Sequence, residues 1–125
     1  MKLESIKYTG IESSPALNEY VEEKIATLSK YVENFGTPRD IRVELEKTTH
    51  HHQTGPFFRA EANINIPGHF FRAEQTADDI YDAIDMLKND LERQLSDYSD
   101  KLRTKKRDGG QEMKNMLNYD ESVGE

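Results

Sequence analysis

Apolar residues recur at Ile80, Ile84, Leu87, Leu91, Leu95, Tyr98 and Leu102, in steps of three and four, and no glycine or proline follows until Gly109-Gly110. That spacing draws one apolar stripe down one side of a continuous helix. Thr76 and Asp79 form an S/T-x-x-D start signal in front of it. The pattern predicts a helix from Ala77 to about Arg107, roughly 45 Å long at 1.5 Å per residue. A strand of six or seven residues spans only about 22 Å. Such a helix must outrun any sheet it packs on, and this constrains the fold more than any other feature.

Charge is divided along the same segment. Asp78, Asp79, Asp82, Asp85, Asp90, Glu92, Asp97 and Asp100 stand against Lys88 and Arg93, whereas Lys101, Arg103, Lys105, Lys106 and Arg107 follow with no acid among them. The part predicted to overhang the sheet is therefore the cationic part. Cations at a helix C-terminus complement the helix dipole, but five in seven residues exceed what a cap needs and suit a phosphate backbone. The chain as a whole carries −7, so any nucleic-acid contact must be local.

The remaining elements read as strands and one more helix. Residues 3–9 form a short strand with Ile6 and Tyr8 on one face. Ser14 caps and Pro15 opens a helix whose apolar positions Leu17, Val21, Ile25, Leu28 and Val32 share one face, until Gly36 and Pro38 stop it. IRVELEKTT alternates Ile41, Val43 and Leu45 with Arg42, Glu44 and Glu46, the period of a half-buried strand. FFRAEANINIP alternates again, with Phe58, Ala60, Ala62, Ile64 and Ile66 inside, and Pro67-Gly68 turns the chain into a shorter fourth strand, HFFRAEQ. Short connections make these last three strands antiparallel.

Composition sets the scale. With 125 residues, 34% hydrophobic and 33% charged, and a mean hydropathy of −0.90, one thin α+β domain of two layers is expected: a four-stranded mixed sheet with two helices on one face. The domain is expected over residues 1–107, with 108–125 a disordered acidic tail. There is no cysteine, which excludes a disulfide framework and Cys-ligated zinc. No stretch reaches the ~20 apolar residues of a membrane span, and the N-terminus lacks a signal-peptide core, so a soluble cytoplasmic protein is expected.

Catalytic signatures are missing: the sequence holds no phosphate loop, dinucleotide fingerprint, nucleophile elbow or H-E-x-x-H. The carboxylate pairs Glu22-Glu23 and Asp78-Asp79 fall on expected helix surfaces, and a two-layer fold offers little cleft for acid–base work. His50-His51-His52 lie in an expected turn where neighbours point apart, with no ligand set completed, so they read as a polar loop and not a metal site. Phe57-Phe58 and Phe70-Phe71 each place one ring on each sheet face, leaving an outward ring free to stack on a base or a partner. The expectation is a binding protein with no catalytic residues, cofactor or small-molecule substrate.

Specific residues add a resemblance. D-I-Y-D-A-I-D-x-L from Asp79 to Leu87, L-E-R-Q-L from Leu91 to Leu95 and D-K-L from Asp100 to Leu102 resemble the ribosome hibernation promoting factor family. So do V-E-L-E-K-T-T-H from Val43 to His50 and Y-V-E-E-K-I-A-T-L from Tyr20 to Leu28. The resemblance covers about residues 3–107, in the order β-α-β-β-β-α. It implies binding to the small ribosomal subunit and its rRNA, in the channel that holds messenger RNA and tRNA anticodons, so that occupancy blocks translation and keeps ribosomes inactive. It carries over Lys24, Lys47, Arg93, Lys101 and Arg103 as RNA-binding positions, while Lys105, Lys106 and Arg107 extend the stripe on charge alone. The chain looks like the family's short form, without the additional dimerisation domain. It departs where Asp90 and Asp97 replace cations common in the family, a local change of about four charge units that weakens phosphate contact. The alternative is a protein-interaction or self-association module on the same fold, using exposed Phe rings and the Met-rich tail.

Overall fold

A computed structural model describes residues 3, 5–32, 40–48 and 58–122, with the backbone alone described over 105–122. The elements are β1 (Ser5–Thr9), α1 (Pro15–Ala26), α2 (Ser29–Val32), β2 (Asp40–Lys47), β3 (Phe58–Ile66), β4 (His69–Ala77) and α3 (Ile80–Ser122). The strands form one sheet in the order β1-β2-β3-β4. β1 runs parallel to β2, as a helical crossover between them requires, and the other pairs are antiparallel. This is the mixed α+β sheet expected from the sequence.

Alternation decides which face is covered. Ile41, Val43 and Leu45 of β2, Ala60, Ala62, Ile64 and Ile66 of β3, and Phe71 and Ala73 of β4 are buried in one cluster with Leu17, Val21 and Ile25 of α1 and Ile84, Leu87, Leu91 and Leu95 of α3. All the helical residues of the cluster lie against this one sheet face, and burial of each Leu or Ile contributes roughly 2 kcal/mol. Phe58 packs against the cluster and Phe71 is inside it, while Phe70 faces out at 55% exposure. Phe57 and His50 to His52 lie outside the described residues.

The first helix departs from expectation. Ser14 caps it, accepting from the Leu17 amide at 3.1 Å, and Pro15 opens it. It ends at Ala26, however, and α2 resumes at Ser29, where one helix to Val32 was expected. Thr27 donates its hydroxyl to the Lys24 carbonyl at 2.6 Å, so that oxygen already has a partner, and the Leu28 amide bonds instead to Ile25 O at 3.0 Å. Back-bonding threonines bend helices in this way. Leu28 and Val32 stay buried across the break.

The start and end of the long helix also differ. β4 is nine residues long, not a short strand, because Thr76 and Ala77 pair with Arg59 and Phe58 of β3. Thr76 therefore does not cap α3. Asp79 does, accepting from the Tyr81 amide at 2.8 Å, and the helix begins at Ile80 rather than Ala77. At the far end, α3 passes through Gly109-Gly110 and reaches Ser122. A glycine in a helix interior costs about 1 kcal/mol relative to alanine, a penalty that the helix-forming residues QEMKNML beyond it can absorb.

Two glycines need their freedom. Gly68, at φ 84°, makes the tight turn between β3 and β4. Gly10 has φ 71°, and a Cβ there would sit 2.9 Å from the Lys47 carbonyl oxygen, so the exit from β1 admits no side chain. From Ile80 to Tyr98, α3 covers about 27 Å, close to the roughly 30 Å of the nine-residue β4 beneath it. Tyr98 is the last α3 side chain packed on the core, and everything after it overhangs.

Candidate nucleic-acid interface

α1 and α3 descend side by side, and both α1 and α2 are laced to α3 by tyrosines. Tyr20 donates to Asp85 at 2.6 Å, and Tyr31 donates to Glu92 at 2.9 Å. The bond to Asp85, then burial, then nearby carboxylate charge push the Tyr20 hydroxyl up to about 12. Glu92 is held below the usual carboxylate range by bonds from Lys88 at 3.1 Å and from Tyr31. On the opposite flank Asp90 fastens α3 to β4, accepting from Gln75 at 3.0 Å, Gln94 at 3.1 Å and Arg93 at 2.7 Å. Gln94 also donates to the Arg72 carbonyl at 3.0 Å.

Asp90 thus has a second part beyond thinning positive charge. Burial pushes its carboxyl up, but the bonds from Gln94, Gln75 and Arg93 outweigh burial and hold it below its ordinary value. A carboxylate depressed in the folded state adds stability that is present above its unfolded value near 4 and is lost as pH falls through the folded value. The urea midpoint is therefore expected to be level from pH 7 to 5 and to decline below about pH 4. Asp90→Ala should lower stability at pH 7 by about 2 kcal/mol, because two amides lose a charged acceptor, and should make the acid decline shallower.

The candidate cations do not form one stripe. Lys24, on α1, pairs with Asp85 at 3.4 Å and lies 5.1 Å from the centroid of the Tyr20 ring. Lys47 ends β2, over Phe58 at 5.9 Å. Register places it beside the β4 terminus that leads into α3, so it sits at the end of the domain opposite Lys101, more than about 30 Å away along the helix. Arg93 is on the outer side of α3, tied to Asp90, and Arg103 is paired with Asp100. Lys101 makes no ion pair among the described residues. The side chains of Lys105, Lys106 and Arg107 lie outside the described ones, though the helix carries their backbone onward in line with Lys101. The geometry groups Arg93, Lys101 and Arg103 with the overhang and leaves Lys24 and Lys47 apart.

The uncovered sheet face carries a charge network of its own. Register sets Glu44, Glu61 and Glu74 directly across from one another on β2, β3 and β4. Arg59, in the next row, forms ion pairs with Glu44 at 3.7 Å, Glu46 at 3.1 Å and Glu61 at 2.9 Å, and also with Glu74. Arg72 pairs with Glu61 from the other side. Burial works against the Arg59 charge, but these carboxylates raise its pKa above the ordinary value, and Arg59 in turn lowers that of Glu74. With Lys7, Arg42, Arg59 and Arg72 set against Asp40, Glu44, Glu46, Glu61 and Glu74, the charges on this face nearly cancel. Sequence reading passed over this network and the Asp90 clamp, since both depend on register.

Among the described residues no group of three or more His, Asp or Glu could hold a metal ion, and no helix is long and apolar enough to cross a membrane.

Comparison with known proteins adds a family. A model of the "Sigma 54 modulation protein / S30EA ribosomal protein" family matches residues 5–103. The chain is 29% identical over 115 residues to a ribosome hibernation promotion factor of Deinococcus radiodurans, covering 87% of this chain and 55% of that protein. It is 34% identical over 95 residues to one of Staphylococcus aureus, covering 76% and 47%. The chain thus spans about half the length of these curated relatives. Its structure matches the N-terminal domain of Thermus thermophilus Protein Y with a TM-score of 0.62 at 30% identity, covering 78% of this chain and 99% of that one. It also matches a ribosomal subunit interface protein from Coxiella burnetii with a TM-score of 0.54 at 28% identity, covering 74% and 94%.

Proposed function

This chain belongs to the Sigma 54 modulation protein / S30EA ribosomal protein family, and on that premise we propose that it is a cytoplasmic hibernation factor that occupies the messenger and tRNA channel of the small ribosomal subunit. The observation that carries the reading is the family match over residues 5–103, which takes in every strand and α3 past Lys101. The action is steric and needs no cofactor or chemical step. A helix projecting beyond a rigid two-layer body can enter a phosphate-lined channel while the body blocks its mouth. Arg93, Lys101 and Arg103, continued by Lys105, Lys106 and Arg107, supply the phosphate contacts. Arg93, Arg103 and Lys24 contribute by exchanging their present carboxylate partners for phosphate, and Lys47 stands apart at the far end. Residues 1–107 form the binding unit, and 108–125 is a tail outside it.

Addition of the protein to a purified translation system is expected to stop initiation at a stoichiometry near one per small subunit. Chemical probing of the rRNA should then show protection along the channel. Full translation in the presence of saturating protein would refute the reading. A second reading, docking to a protein, is favoured by Phe70, exposed on the uncovered sheet face; it predicts that Phe70→Ala, and not reversal of the basic end, abolishes binding.

A further inference from the structure

Where the β3–β4 turn meets the last turn of α3 on the sheet, a groove of about 210 Å³ is lined by His69, Phe71, Arg93, Asp97, Tyr98 and Lys101, among others. Its floor is a cluster of three rings. His69 stacks on Tyr98 with centroids 4.4 Å apart and 24° between planes. Phe71, buried in the core, meets His69 at 4.5 Å and Tyr98 edge-on at 5.3 Å. His69 is the first residue of β4, fixed opposite Ile66 by the turn at Gly68, and it is exposed. The core thus holds an aromatic surface rigidly at the point where the basic overhang begins.

The charges around it differ in whether they are paired. Arg93 is bound to Asp90, but Lys101 and Asp97, four residues apart, make no ion pair with each other or with any other described residue. A ring platform, a lone ammonium and a lone carboxylate match the three parts of a nucleotide. Aromatic rings stack bases of any kind, and an ammonium takes the phosphate. A carboxylate only accepts, so it favours the one base whose Watson–Crick edge presents two adjacent donors, the N1–H and N2–H of guanine. Adenine, cytosine and uracil each set an acceptor beside their donor, and it would face the carboxylate.

We infer that this groove binds one unpaired guanine of RNA, its ring on His69, its Watson–Crick edge on Asp97 and its phosphate at Lys101. The inference rests on the RNA-binding reading above and adds a base preference to it.

The test titrates the full chain against labelled hexaribonucleotides of uridine carrying one central G, A or C, or none. The G-bearing strand is expected to bind about tenfold more tightly than the others. Asp97→Asn should bring G and A to equal affinity, and His69→Ala should weaken the G strand about tenfold. Lys101→Ala should weaken all four strands alike. Circular dichroism checks that each variant is folded, and ring-proton shifts of His69 and Tyr98 on adding GMP but not AMP give a second readout. Equal binding of all four strands to the wild type, or a G preference that survives Asp97→Asn, would overturn the inference. Wild type that sediments with ribosomes yet shows no base preference removes the guanine site alone. Wild type that prefers G yet never binds ribosomes removes only the functional reading.

Discussion

Reversing Lys101, Arg103, Lys105, Lys106 and Arg107 to glutamate is expected to weaken binding to the small subunit on the order of a hundredfold or more at moderate salt. Each phosphate neutralised releases condensed counterions, and the logarithm of affinity falls with the logarithm of salt by about 0.7 to 0.9 per contact. Loss of five contacts should therefore flatten that slope by about four. The fold should survive, because the core ends at Tyr98 and Lys101, Arg103 and the backbone beyond them project past the sheet; an unchanged melting temperature would check this. Lys24→Glu is the informative contrast. Lys24 already faces Asp85, so its reversal should cost some stability between α1 and α3 but change the salt slope by less than one. Unchanged affinity in the five-residue variant would contradict the assignment of the basic overhang.

The second large effect is on stability. Arg59→Ala should destabilise the fold by about 3 kcal/mol, measured by urea or thermal unfolding. Like charges placed directly across a sheet are unfavourable, and Glu44, Glu61 and Glu74 form such a row. Arg59, at 18% exposure, reaches all three and Glu46 besides. Its removal leaves carboxylates facing one another, with Arg72 paired to Glu61 and acting on Glu74 from a greater distance. Protonation relieves that repulsion, so the deficit relative to wild type should narrow as pH falls towards 4. Ribosome binding should be retained wherever the variant is folded. A deficit under about 1 kcal/mol, or one that does not change with pH, would show that water screens the row without help from Arg59.

The core was open to reading from the chain because its two periods are clean. Alternation along β2 and β3, and the three- and four-residue steps from Leu17 to Val32 and from Ile80 to Leu95, name almost every buried hydrophobic side chain. Boundaries were harder, for local reasons. The break at Thr27 turns on one hydroxyl bonding its own helix, and apolar spacing continues straight through it to Leu28 and Val32. Thr76 reads as a helix cap in isolation, but in the sheet it is held by Arg59. Glycine at 109 and 110 lowers helix propensity without forbidding helix, so it was a poor stop.

The candidate site was legible in part. The overhang followed from length alone, since a stripe that continues past the end of a strand must leave the sheet. Placement of the separate cations did not follow, because strand direction and register put Lys47 at the far end and the helix pairing puts Lys24 on Asp85. Asp90 read as a surface anion because hydropathy cannot tell an exposed carboxylate from one holding Gln75, Gln94 and Arg93. The pairing of His69 with Tyr98 joins residues 29 positions apart and has no sequence signature.

The central claim is that this chain binds the small ribosomal subunit through the cationic end of α3. Sedimentation of purified small subunits with the protein added, repeated at rising salt, tests it most directly. The account predicts that the protein travels with the subunit at low salt and is released progressively as salt rises, with a log–log slope of at least about four. Protein that remains at the top of the gradient at the lowest salt would contradict it.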